Sequence, residues 1–239
     1  DFVILSDGCS SVPDTDVGAR LLVSSALSYI KPLYGSVSLL GSSVAKAESC
    51  TLILDMPLDC LAATLLVARK NEGVIETIIS GDGVIAGRQR SDGALHILEY
   101  RYSSGAPFYP YYKLRPSLMQ TYSKKFSREP LKISLTHYHS DHLTDAISWE
   151  TNTLEIEGPI FPLEKFDIVA VFSDGVSSFS SESAAIPTTD IVRELMAFKT
   201  YQGEFVQRRC RRAFDLFEQL NWNHADDVAM AAIYIGDPE

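Results

Sequence analysis

The chain predicts an α+β fold in which two antiparallel β-sheets stack face to face under a cover of helices. Short hydrophobic runs bounded by turn residues recur along most of the sequence and read as strands returning on one another. Helical periodicities are clustered in pairs, one pair near each end. A third observation locates function. Phe2-Val-Ile-Leu-Ser-Asp7-Gly8, Phe166-Asp-Ile-Val-Ala-Val-Phe-Ser-Asp174-Gly175 and Asp226-Asp227-Val-Ala-Met-Ala-Ala-Ile-Tyr-Ile235 each set a carboxylate at the end of a buried strand. A carboxylate is costly to bury there without a cation or a set of hydrogen bonds. Carboxylates on neighbouring strands would converge as a hard-metal site.

Taken in order, the first strand ends at Asp7-Gly8 and a polar loop, Cys9 to Asp16, follows. A helix is predicted from Gly18 to Ile30, its apolar face made by Ala19, Leu22, Val23, Ala26 and Ile30, with Pro32 as its stop. A weaker helix is expected over 36–50. Ala63–Arg69 and Val74–Ser80 read as a hairpin turning at Lys70-Asn-Glu-Gly73. Gly81-Asp82-Gly83 makes a tight turn into a strand at 84–88, and another strand spans 94–100. The stretch from 103 to 150 is aromatic-rich and interrupted by proline, and reads as a flap or insertion. Its Gly105–Tyr112 run is expected to pack on the core, with an aromatic wall over a substrate groove as the other reading. Regular structure resumes at Thr153–Ile156 and in a strand at 166–173. Helices over 188–200 and 204–220 precede a last strand at 228–235. The whole is read as one domain, 1–239.

Composition bounds the function. With 239 residues, 46% hydrophobic and 22% charged, the chain has an ample core for one domain. A net charge of −10 argues against a nucleic-acid or anionic-membrane surface. No apolar run is long enough for a bilayer span and no signal peptide is visible. Cys9, Cys50, Cys60 and Cys210 lack metal-knuckle or redox spacing and fit a reducing compartment, so a cytoplasmic location is expected. The sequence opens inside a strand without Met, and a segment upstream is expected.

Five blocks then stand in one order: Val3-Ile-Leu-Ser-Asp7-Gly8, Ala63-Thr64-Leu-Leu-Val, Ser80-Gly81-Asp82-Gly83, Val171-Phe-Ser173-Asp174-Gly175 and Asp226-Asp227-Val-Ala. In this order and context they resemble the metal-dependent protein phosphatase 2C family. The resemblance implies a four-layer αββα sandwich and hydrolysis of phosphoserine and phosphothreonine in proteins by a water activated between two Mn²⁺ or Mg²⁺ ions. By position it implies that Asp7 bridges both metals, that Gly8 offers its backbone carbonyl, and that Asp174 and Asp226 complete one metal. Asp82 matches a position for a third, weaker metal, and Asp227 one that supports the turn. Such chemistry suits hard oxygen ligands and needs no side-chain nucleophile. The chain departs from the family's pattern in three ways. It lacks the upstream strand with its acidic pair and phosphate-binding Arg, it has Cys9-Ser10-Ser11 where glycines are usual, and it has Ser178 where another Asp is common.

Other candidates compete. Arg20 could reach a phosphate but reads more simply as a helix-surface residue, and Arg208, Arg209, Arg211 and Arg212 read as a solvated helix face. His224, beside Asp226, is a candidate general acid, with support of the loop as the other reading. His137-Tyr-His139-Ser-Asp141-His142 matches the zinc motif of the metallo-β-lactamase superfamily and defines a rival zinc hydrolase, although no suitable ligands follow downstream. A third alternative is a 2C-fold module that binds a partner without catalysis.

Overall fold

A computed structural model describes residues 1–30, 36–126, 131–139, 142–151, 156–182 and 184–236. Pro32, Asp141 and Thr153–Glu155, singled out above, lie outside the described residues.

Two sheets form the framework. The first has β1 (Phe2–Leu5), β2 (Leu65–Asn71), β3 (Val74–Ser80) and β8 (Ile156–Pro162) in the order β1-β2-β3-β8. The second has β4 (Gly83–Gln89), β5 (Leu95–Tyr102), β6 (Leu131–His139), β7 (His142–Thr151), β9 (Phe166–Phe172) and β12 (Met230–Tyr234) in the order β12-β9-β4-β5-β6-β7. Every pairing is antiparallel. A two-stranded piece, β10 (Phe179–Ser180) with β11 (Asn223–His224), was not foreseen, being too short to carry a period.

The layers follow from which side of each strand is apolar. Leu5, Leu66, Ile75 and Ile79 from the first sheet interdigitate with Ile85, Leu98, Ile133, Val171 and Ile233 from the second. Helices α1 (Thr15–Leu27) and α2 (Ser36–Ile53) bury Leu22, Ala26, Leu39 and Val44 on the outer face of the first sheet, against Leu65, Val67 and Ile78. Helices α4 (Thr188–Met196) and α5 (Phe205–Gln219) bury Ile191, Leu195, Ala213 and Phe217 on the outer face of the second, against Val84, Ala86 and Ala170. The four-layer αββα sandwich is thereby established. Strands β4 and β9 sit mid-sheet with both faces covered, which is why their sequences are apolar runs rather than alternations.

Local chemistry sets the boundaries. Helix α1 starts at Thr15, earlier than the periodicity suggested, because Thr15 Oγ1 donates to the Cys9 carbonyl at 2.9 Å and ties the first turn to the loop. The β2–β3 hairpin turns on Glu72-Gly73 between the paired Asn71 and Val74, with Glu72 at φ 49°. Across it, buried Arg69 donates to Glu76 at 2.9 and 2.7 Å, and Asn71 adds a bond to the same carboxylate at 2.8 Å. The stretch 103–150 carries a turn at Pro110–Leu114, α3 (Pro116–Phe126) and then β6 and β7, which continue the second sheet to its edge. Its aromatic run is packing: Phe108, Tyr112, Tyr122 and Phe126 stack in a chain against the inter-sheet core. The expected solvated face of α5 needs correction at Arg209, which is buried and paired with Glu194.

Gly18 makes the closest approach of α1 to the core, since a Cβ there would overlap the Cys60 carbonyl oxygen. Gly18→Ala should therefore destabilise the protein by about 1–3 kcal/mol through overpacking. A denaturant midpoint unchanged from wild type would refute this close packing of α1 on Leu58–Leu61.

Candidate metal and catalytic centre

Register brings the acidic turns of both sheets to one rim. Leu5 pairs with Leu66, and Leu65 with Ser80, so the end of β1, the start of β2 and the end of β3 lie level. Thr64 binds them together. The Asp7 N–H donates to Thr64 Oγ1 at 3.0 Å, the Thr64 N–H donates to the Asp7 carbonyl at 2.8 Å, and the Ser6 hydroxyl donates to the Thr64 carbonyl. Gly81, at φ +99°, packs so closely on Thr64 that a Cβ would lie 2.8 Å from its methyl carbon. In the second sheet Phe172 pairs with both Met230 and Val84, which sets Asp174, Asp226 and Asp82 at the same end.

Two serines and a glycine fasten the Asp226-Asp227 loop to the turn after β9. Buried Ser173 accepts from the Ala229 N–H at 3.0 Å and donates to the Asp227 carbonyl at 3.2 Å. The Ser178 hydroxyl accepts from the N–H groups of Ala225 and Asp226, each at 3.2 Å, and donates to the Gly175 carbonyl at 2.8 Å. A Cβ on Gly175 would overlap the Asp227 carbonyl oxygen, so the two backbones touch.

The rim opens into two clefts. One, of about 460 Å³, is lined by Asp7, Gly8, Asp16, Arg20 and Asp227. The other, of about 380 Å³, is lined by Asp82, Asp174, Asp226, Arg101, Ser177 and Ser178. Burial pushes the Asp7 carboxyl up to about 6, and the charges of Asp174 and Asp226 add to the rise. Burial and then Asp174 push Asp82 up to about 8. Asp174 is raised as well, by burial and by Asp226. Among the described residues none of these carboxylates has an ion-pair partner.

Among the described residues, no group of three or more His, Cys, Asp or Glu side chains is drawn close enough to hold a metal ion. The chemistry of the rim nonetheless fits hard divalent cations. Its donors are carboxylate and carbonyl oxygens, and carboxylates that repel one another without a counter-charge are what such a cation would draw together.

The remaining candidates separate cleanly. His224 lies on β11, exposed, with its ring against Phe179 and Phe214 and Nδ1 2.8 Å from the Asp226 carbonyl. It lines neither cleft. His137, His139 and His142 sit at the β6–β7 turn, where His137 pairs with His96. Since Gly83 pairs with Tyr100, that corner lies roughly 13 Å further along the sheet from the acidic rim. There the His96 and His137 rings pack with centroids 4.1 Å apart, and His139 Nδ1 is 3.2 Å from Asp92. Arg20 is exposed on α1 and lines the Asp7 cleft. Arg101 was missed by sequence reasoning. It stands inside a strand with no motif around it, and only the register of β4 and β5 places it beside Asp82.

Comparison with known proteins agrees with the fold. A family model described as protein phosphatase 2C matches residues 1–215. A crystal structure of a bacterial serine phosphatase superposes with a TM-score of 0.56 at 12% identity, over 100% of this chain and 87% of that one. The serine/threonine phosphatase Stp1 from Staphylococcus aureus gives 0.53 at 11% identity, over 99% and 84% of the two chains. No curated protein matches in sequence. No helix among the described residues is long and apolar enough to cross a membrane. With a family match spanning most of its length, the chain belongs to the protein phosphatase 2C family.

Proposed function

We propose that the chain hydrolyses phosphoserine and phosphothreonine esters in proteins with the help of Mn²⁺ or Mg²⁺ held at the acidic rim. The observation that carries this reading is the convergence of Asp7, Asp174 and Asp226, from both sheets, on one end of the sandwich, where among the described residues no basic side chain pairs with them. Asp7 and the Gly8 carbonyl would serve two ions, and Asp174 and Asp226 would complete the set at one of them. Asp82 is the donor available to a third. Bound there, the ions would neutralise phosphoryl oxygens and acidify a water for in-line attack.

The chain's own residues do the positioning. Thr64 fixes the backbone of Asp7 through two hydrogen bonds, so the carboxylate is aimed by the strand and not by a free loop. Ser173 and Ser178 hold the Asp226-Asp227 loop against the turn carrying Asp174. We assign His224 to the same task, since its Nδ1 is engaged at the Asp226 carbonyl and its ring is anchored on two phenylalanines. Burial and the Asp174 charge push the Asp82 carboxyl up to about 8, so protons compete with a cation for its oxygens near neutral pH.

Mn²⁺-dependent hydrolysis of a phosphothreonine peptide tests the reading directly. Asp174→Asn should abolish turnover and His139→Ala should leave it unchanged. Zinc-dependent activity lost in His139→Ala would instead favour the rival zinc hydrolase. A well-folded wild type with no activity would favour the binding module.

A second prediction concerns pH. Asp7 and Asp82 have folded-state values of about 6 and about 8 against an ordinary 3.8. A raised carboxyl contributes stability that is fully present below the unfolded value and is lost as pH rises through the folded one. The metal-free protein should therefore lose melting temperature from these two groups between pH 4 and about 8. Asp82→Asn should flatten the upper part of that decline. Mn²⁺ should raise the melting temperature more at pH 8 than at pH 5, because protons compete for the same oxygens. Equal stabilisation at both pH values, read by scanning fluorimetry, would remove Asp7 and Asp82 from the metal site.

A further inference from the structure

We propose that Arg101 grips the phosphoryl group of the substrate from the Asp82–Asp174 side of the rim, an inference that rests on the phosphatase reading above. The placement follows from the strand. Gly83 pairs with Tyr100, so Arg101 stands level with Asp82. Tyr100 and Tyr102 are buried in the inter-sheet core, so Arg101 between them projects from the opposite face of β5. There it lines the cleft with Asp82, Asp174, Asp226 and Ser177.

The guanidinium is held without being used up. Its Nη2 donates to Glu99 Oε1 at 2.7 Å, and that carboxylate oxygen in turn accepts from the Thr188 hydroxyl at 3.0 Å. Among the described residues Glu99 is its only hydrogen-bond partner, although a guanidinium carries five N–H donors. The arginine also does not pair with the carboxylates facing it across the cleft. Its charge is felt there, pulling down the Asp82 and Asp174 carboxyls against the larger effect of burial. A tethered planar fork with spare donors, set beside carboxylates that suit divalent cations, leaves room for an oxyanion between fork and cations. The tetrahedral dianion of a phosphomonoester matches that need.

Kinetics and binding on the Mn²⁺-loaded protein test this. The readouts are KM and kcat on a phosphothreonine peptide and titration calorimetry with inorganic phosphate, for wild type, Arg101→Ala, Arg101→Lys and Arg20→Ala. Arg101→Ala should raise KM and weaken phosphate binding about 10- to 100-fold, as loss of a charge-assisted hydrogen bond implies, with a smaller change in kcat. Arg101→Lys should recover part of the loss, because it restores charge without the fork. Equal melting temperatures for the variants exclude a folding effect. The proposal is overturned if Arg101→Ala binds phosphate like wild type, if the loss follows Arg20→Ala instead, or if wild type binds no phosphate. Phosphate binding by wild type that Arg101→Ala loses, without any hydrolysis, would uphold Arg101 while refuting the phosphatase reading.

Discussion

The rim of the sandwich is governed by one unfavourable term, the mutual repulsion of carboxylates withdrawn from water. Asp7, Asp82 and Asp174 are each partly or largely buried, Asp7 and Asp82 both sense Asp174 while Asp174 senses Asp226, and among the described residues no basic side chain pairs with them. Left to itself such a cluster would splay apart. What holds it is backbone. Thr64 clamps the end of β1 to the start of β2 and touches Gly81, while Ser173, Ser178 and the Gly175–Asp227 contact lock the last acidic loop to the end of β9. These fastenings use hydroxyls and glycines, which add no charge to a site already overcharged.

The sandwich makes this possible because it packs two sheets face to face on a shared core, with their acidic strand ends at one rim. Apolar side chains from both sheets fill the interface, so the strand ends cannot slide relative to one another without unpacking Leu66, Ile85, Val171 and their neighbours. Helices on the outer faces bury the reverse sides of the same strands. Repulsion at the rim thus acts on elements whose positions are set elsewhere, by burial, and this lets a fold keep a strained constellation.

How much of this the sequence discloses depends on the surroundings of each segment. Strands β3, β4 and β9 were legible because a largely buried strand flanked by glycine and Asp leaves an unmistakable apolar run, and β1, although half-exposed at the sheet edge, carries the same kind of run. The acid-bearing turns were legible for the same reason, since polarity stands out against such a run. The 103–150 stretch was opaque on different physical grounds. β7 is an edge strand exposed along nearly its whole length, so no burial imposes a period on it. Phe108 to Tyr112 admit a ligand surface or a packed core in one dimension, and the packed core expected of them is what they form in three. The histidine motif, the rival reading, is a second case of local spacing that the fold does not bring to the acids. His137 and His139 share a face through the pleat, as a ligand pair would, yet register carries them to the opposite end of the sheet from every clustered carboxylate. Arg101 was hidden because proximity to Asp82 arises from cross-strand pairing and leaves no trace in local spacing.

Ser178 shows how a departure from the family pattern can be absorbed by the fold. Its hydroxyl accepts from two backbone N–H groups of the Asp226 loop while donating to the Gly175 carbonyl. An ionised carboxylate at that point could accept but not donate, so the bond to Gly175 would be lost and a repulsive contact with that carbonyl oxygen would replace it. It would also set another negative charge beside Asp174 and Asp226, both of which line the same cleft. A serine there therefore adds no acidic donor beside Asp82 and gives a firmer hold on the loop that carries Asp226. With one fewer carboxylate in the cleft and Arg101 on its wall, the local charge is shifted away from gathering an extra cation and toward admitting an anion.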